Sequence, residues 1–158
     1  MKKVVLILAV MLLNISALPS ITKEEPTYET VYNQIVECGI EFPDIVFAQS
    51  VLESGHYQSE VFKANNNMFG MKMPRIRETV ALGKNLGYAL YNNWQSSITD
   101  YMLWQKNVMK TKTFSRAQYY AYLDKRYAHK GYSAKVKQIV KRFNNEVPNE
   151  LNNGVCGI

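Results

Sequence analysis

Ile45, Val46, Phe47, Ala48, Val51 and Leu52 crowd a short stretch, so a helix opened at Asp44 and stopped at Gly55 is apolar on most of its faces. Such a helix persists in water only when other elements cover nearly all of it. The chain must therefore wrap further structure around this segment. Asp44, just after Pro43, reads as its N-cap. Gly55 supplies the left-handed position that ends a helix. Glu53 is the carboxylate left at the far end.

The flanking sequence provides the cover. Thr27 opens a helix carrying Tyr28, Val31, Ile35 and Val36 at helical spacing, and Gly39 ends it. Ser59 to Lys63 reads as one short helical turn, broken by Asn65, Asn66 and Asn67. Thr79 to Leu82 and Tyr88 to Tyr91 flank a loop with Gly83 and Gly87 at its ends, a hairpin signal. Ser97-x-x-Asp100 and Ser115-x-x-Gln118 read as capping boxes of two helices, the first leading into Tyr101, Met102, Gln105 and Met109. Ser133 reads as the cap of a last helix with Val136, Ile139, Val140, Phe143 and Val147 on one face. The expected class is mainly α (α+β), with one small hairpin lobe.

Met1-Lys2-Lys3, the apolar run Val4 to Leu13 and the small residues near Ser16 and Ala17 match a secretory signal. The run is shorter than the roughly 20 residues that cross a bilayer, so stable membrane insertion is not expected. This divides the 158 residues into a signal over 1–20, one domain over 21–147 and a polar tail over 148–158. At 47% hydrophobic residues the domain can build a core. In an oxidising compartment Cys38 and Cys156 could close a very long loop as a disulfide, or remain two thiols.

The net charge of +6 and pI of about 9.2 favour anionic partners. The basic residues are spread, the densest group being Lys135, Lys137, Lys141 and Arg142 on the last helix, which reads as a solvated face. Nucleic acid is therefore not an expected partner. With only His56, His129 and two distant cysteines, no metal site and no cofactor are read, and a monomer is expected.

Glu53 carries the chemistry. Apolar surroundings and the negative end of a helix dipole both disfavour its charged form. A carboxyl so placed holds a proton near neutral pH, as a general acid must. The same position also suits a structural glutamate paired with a lysine or arginine.

The segment Ala48-Gln49-Ser50-Val51-Leu52-Glu53-Ser54-Gly55-His56-Tyr57-Gln58-Ser59 resembles the catalytic helix of glycoside hydrolase family 73, the β-N-acetylglucosaminidases of bacterial autolysins, flagellar muramidase domains and phage lysins. Further matches follow in order: Asn66-Asn67-Met68-Phe69-Gly70-Met71-Lys72, Tyr88-Ala89-Leu90-Tyr91, Ser97-Ile98-Thr99-Asp100-Tyr101, and Arg126-Tyr127-Ala128 through Tyr132-Ser133-Ala134-Lys135-Val136. The resemblance covers roughly Tyr28 to Phe143. It implies a lysozyme-like fold whose β-lobe walls a sugar cleft, with Glu53 as general acid and peptidoglycan glycan strands as partner. It also implies action in the periplasm, cell wall or extracellular space.

Asn66, Asn67, Phe69, Gly70 and Lys72 fall on the implied cleft wall, where asparagine amides could bind acetamido groups or simply form a turn. Tyr127 falls near the implied acid. Glycosidases usually need a second carboxylate. Glu78 is the candidate, with the substrate's own N-acetyl group as the other route. Tyr91 and Trp94 are expected sugar platforms, while Tyr101 and Trp104 read rather as core. Two other functions share these features: a lytic transglycosylase on the same fold, and a non-catalytic wall-binding module.

Overall fold

The computed structural model describes residues 25–110 and 113–144; the expected signal, the polar tail and Cys156 lie outside them. Thr27 caps α1 (Tyr28–Glu37) through a reciprocal capping box with Thr30. In α2 (Pro43–Glu53) every residue from Ile45 to Val51 is buried. It is flanked by α1 and by the last helix, α6 (Tyr132–Phe143). The N-cap of α2 is Phe42 in the left-handed region, not Asp44; Pro43 takes the first helical position and Asp44 the first turn, where Arg116 pairs with it.

The chain leaves α2 by a tight reversal. Gly55, His56 and Tyr57 have φ of 57, 56 and 65° in succession. The buried Ser54 Oγ donates to the Ser50 carbonyl at 2.6 Å and accepts from Tyr57 N–H at 2.9 Å. Ser59 then caps α3 (Glu60–Asn65), and Asn66 ends it in the left-handed region.

Residues 66–91 form the small lobe. Its strands are β1 (Gly83–Asn85) and β2 (Tyr88–Leu90), antiparallel with Lys84 opposite Ala89. The first strand thus lies inside the expected loop, and only Leu82 N–H, bonded to the Leu90 carbonyl at 2.8 Å, extends the pairing backwards. Leu86 and Gly87, both at positive φ, make a two-residue turn of the kind that matches strand twist.

Helix α4 (Trp94–Met109) is capped by Asn93, whose side chain accepts from Ser96 N–H at 2.8 Å. Ser97 and Asp100, expected as its cap, are instead fully buried inside it. Ser115 and Gln118 do form the expected capping box of α5 (Arg116–Tyr122). A π turn, Leu123–Tyr127, follows directly. Gly131, not Ser133, precedes α6; Ser133 sits in the first turn, where its N–H and hydroxyl both donate to Asp124 at 2.7 Å. Cys38 is buried and disulfide-bonded, and the sequence holds one other cysteine, Cys156. Among the described residues no helix is long and apolar enough to cross a membrane.

Candidate active site

The last residue of α2 opens into a cleft of about 390 Å³ between the lobe and the helical body. The lobe contributes Phe69 to Pro74 and Arg77; the helical body contributes Glu53, Trp104 from α4, and Arg126, Tyr127 and Ala128 from the π turn and its exit. The i→i+5 geometry of that turn, closed by Ala128 N–H on the Leu123 carbonyl at 3.1 Å, carries these last three residues to the cleft.

Gly70 brings the lobe's backbone against the carboxylate. A Cβ built there would stand 3.4 Å from Glu53 Oε2, at a φ of +60° that disfavours any side chain. Tyr127 secures the same point: its hydroxyl donates to the Phe69 carbonyl at 2.8 Å. Lys72 lies on the lobe's rim with Nζ 3.3 Å above the Tyr88 ring, a cation–π contact.

Burial raises the proton affinity of Glu53 above that of an ordinary carboxyl; the nearby Tyr132 hydroxyl and the charge of His129 oppose this but do not cancel it. The half-buried position thus favours the protonated form, while the two neighbours favour the carboxylate.

The three consecutive asparagines are committed to main chain. Asn65 donates to the carbonyls of Asn85 and Ala89, and Asn66 to those of Tyr91 and Asn92. Asn67 is fully buried: its amide donates to the Met71 and Ala89 carbonyls, and its Oδ1 accepts from Phe69 and Met71 N–H. Asn66 and Asn67 therefore shape the cleft wall from behind, with their amide hydrogens already taken.

Tyr91 and Trp94, expected as sugar platforms, are 1% and 2% exposed and present no free face. The Tyr91 hydroxyl donates to Asp100 at 2.7 Å, and Trp94 packs in the first turn of α4. Trp104 takes the cleft position instead, its ring 5.3 Å from that of Tyr127. Tyr101 is core, as expected. Glu78 is exposed and does not line the cleft; its carbonyl accepts from Arg77 at 2.7 Å. Trp104, expected as core, also lines the cleft, as do Arg77 and Arg126, to which the sequence reading gave no role.

Arg77 also anchors the lobe. It forks onto Asp100 of α4 at 2.9 and 2.7 Å, with the Asp100 side chain fully buried. Burial would raise this carboxyl, but hydrogen bonds from Arg77, Thr79 and Tyr91 outweigh it and hold Asp100 below the usual carboxylate range.

A carboxyl of raised proton affinity at a buried helix end, facing a cleft with an aromatic and basic lining, is an arrangement suited to a carbohydrate-cleaving enzyme on a helical scaffold. The family model for mannosyl-glycoprotein endo-β-N-acetylglucosaminidase matches residues 29–145, and the chain belongs to this glucosaminidase family, glycoside hydrolase family 73. It is a glycoside hydrolase with endo-β-N-acetylglucosaminidase activity. Among solved structures it is similar to the catalytic domain of the autolysin Auto from Listeria monocytogenes, with a TM-score of 0.49, 21% identity, and coverage of 78% of this chain and 89% of that one. A search of curated proteins returned no match.

Proposed function

We propose that this enzyme cuts the β-1,4 bond on the reducing side of N-acetylglucosamine in peptidoglycan, outside the cytoplasm, with Glu53 as general acid. The observation that carries the assignment is the raised proton affinity of Glu53 at the point where Gly70 and Tyr127 converge on it. Protonated Glu53 gives its proton to the leaving glycosidic oxygen. Trp104 and Tyr127 offer flat ring faces to the sugars, and Lys72 and Arg126 meet anionic groups of the wall.

Glu53 is the one carboxylate lining this cleft among the described residues. That favours attack on the anomeric carbon by the substrate's own acetamido oxygen, a substrate-assisted route known among glycosidases. Water then opens the cyclic intermediate and returns a proton to Glu53. Glu78 serves as second carboxylate only if the loop carrying it swings inward.

Glu53→Gln tests the assignment. Glutamine keeps the shape but has no proton to give, so turnover on purified peptidoglycan should fall by about 10²–10⁴-fold. Melting should stay at or above wild type, because glutamine is neutral at every pH and carries no penalty for a charge in the half-buried site. Mass analysis of borohydride-reduced fragments from the wild-type enzyme should show reduced N-acetylglucosamine ends. Anhydromuramic ends would identify a transglycosylase, and near-normal cleavage by Glu53→Gln would remove Glu53 from the mechanism.

A further inference from the structure

A general acid and a substrate acetamido group do not by themselves select peptidoglycan. A polymer of N-acetylglucosamine alone offers the same β-1,4 bond and the same acetamido oxygen. In peptidoglycan the alternate sugar, N-acetylmuramic acid, carries a lactyl ether that ends in a carboxyl, either free or amide-linked to a stem peptide. An enzyme that tells the two glycans apart must meet that substituent with groups whose hydrogen bonds are not already spent.

Most polar side chains at the cleft are committed. The amide hydrogens of Asn66 and Asn67 go to main-chain carbonyls. The Tyr127 hydroxyl donates to the Phe69 carbonyl at 2.8 Å. Arg77 forks onto Asp100 at 2.9 and 2.7 Å and also donates to the Glu78 carbonyl at 2.7 Å. Two cations remain. Lys72 and Arg126 line the cleft, are exposed, and form no ion pair among the described residues. Lys72 belongs to the lobe wall and Arg126 to the wall built by the π turn. Each is tied to the point where the acid sits. Lys72 Nζ lies 3.3 Å above the Tyr88 ring; Tyr88 Cε1 and Glu53 Oε2 meet at Gly70, 4.0 and 3.4 Å from where a Cβ would stand. Arg126 directly precedes Tyr127, whose hydroxyl holds the carbonyl on the other side of that glycine's peptide bond. A free positive charge on each wall thus brackets Glu53, and a concave site lined by one sign of charge concentrates the other.

We infer that Lys72 and Arg126 determine the specificity of this cleft by taking the free lactyl carboxylates of the muramic sugars that flank the cut N-acetylglucosamine. The inference rests on the reading of peptidoglycan as substrate and names which of its groups is recognised. In the alternating strand that N-acetylglucosamine has a muramic sugar on each side, so one carboxylate is available to each wall. The guanidinium of Arg126 offers a planar fork to its carboxylate, and the ammonium of Lys72 a point charge. The lactyl carboxylate is a few bonds from the ring, whereas the carboxylates of a stem peptide hang further out. Strands stripped of stem peptide present the lactyl group as an anion; strands that keep the peptide present an amide there. The enzyme therefore prefers stripped strands, and neutral N-acetylglucosamine polymers are poor substrates although they carry the same bond.

The test uses glycan strands freed of stem peptide by an amidase, with their lactyl carboxylates either left free or converted to amides. Wild-type kcat/KM should be about tenfold higher on the free-carboxylate strands, the size expected of charge-assisted hydrogen bonds in an open cleft. Added salt should narrow that ratio. Lys72→Gln and Arg126→Gln should each lower the ratio by about threefold, and the double variant should bring it close to unity. Lys72→Arg and Arg126→Lys keep the charge and should keep most of the ratio. General damage to the fold would slow cleavage of both strands and leave the ratio where it was. A wild-type ratio near unity, or a double variant that keeps the wild-type ratio, would overturn the inference. Strands with stem peptide attached should be cut like the amidated ones; faster cleavage than on the free-carboxylate strands would put the recognised charge on the peptide and overturn it too. A wild-type enzyme that cuts none of these strands would remove the peptidoglycan reading itself, and this inference with it.

Discussion

Helix α2 and the lobe over residues 66–91 meet at one carboxylate, yet the lobe depends far more on polar anchors than the helix does. The helix is buried from Ile45 to Val51 and fixed by apolar packing against its neighbours. The lobe is a two-stranded hairpin, which is marginal in water on its own. Its exposed side chains include Ile76 and Leu82 at 99% and 68%. Met68, Phe69 and Met71 root it in the core, and the remainder is fixed by polar groups: the asparagine clamps at 65–67, the Tyr127 hydroxyl and the Arg77–Asp100 pair. Packing is insensitive to pH and tolerant of small adjustments, whereas each polar clamp depends on a few atoms. One wall of the cleft should therefore fail before the other.

The strongest way to break that contrast is Arg77→Ala. It leaves the buried Asp100 charge without its partner, which costs about 3–5 kcal/mol. Hydrogen exchange should show amides over 79–91 losing protection while α1, α2 and α6 keep theirs, with peptidoglycan cleavage lost in parallel. Uniform loss of protection would mean that lobe and body unfold as one unit.

Asn67→Ala should cost about 2–3 kcal/mol, because Phe69 and Met71 N–H lose their acceptor and the Met71 and Ala89 carbonyls each lose a donor. The effect should appear in cleavage before it appears in far-UV circular dichroism.

Acid titration sharpens the comparison without mutation. The folded Asp100 carboxyl lies below its unfolded value of about 3.9, so its contribution is complete above that pH and drains away as pH falls through the folded value. Lobe amides should lose protection below about pH 4 while helical signal persists. Glu53 has the opposite sign: its folded value is raised, so with Glu53 as the proposed acid, cleavage should fall as pH rises through that value.

The smallest effect belongs to the helical body. Arg116→Ala removes a pair with Asp44 whose side chains are 48% and 28% exposed. Such a pair is worth less than about 1 kcal/mol, so melting should barely move and cleavage should not change.

The same contrast explains what could be read from the residues alone. Apolar periodicity and the Glu53-Ser54-Gly55 stop exposed α2 and its carboxylate, because packing leaves a pattern within one segment. The polar clamps leave none. Nothing local to Asp100 indicates that Arg77 will find it, so a buried anchor reads as a helix cap. The hairpin slipped because Leu86 occupies a positive-φ turn position where asparagine or glycine is expected, and the strands closed further along than the glycines suggested. Trp94 is buried and Trp104 borders the cleft, because only the lobe's position decides which part of α4 is wet.

The reversal at Gly55, His56 and Tyr57 bears on how variation in this enzyme should be interpreted. Left-handed backbone costs roughly 1–3 kcal/mol at an ordinary residue, and here a histidine and a tyrosine sit in it consecutively, within a few residues of the acid. His56 is held by the Tyr28 hydroxyl at 2.6 Å, and Tyr57 is buried. Replacements at these two sites must first satisfy the turn, and asparagine or glycine will be accepted more readily than larger residues of similar chemistry. Intolerance there would record the geometry of the main chain and would be mistaken for sugar contact by anyone who located the binding site from mutational sensitivity alone.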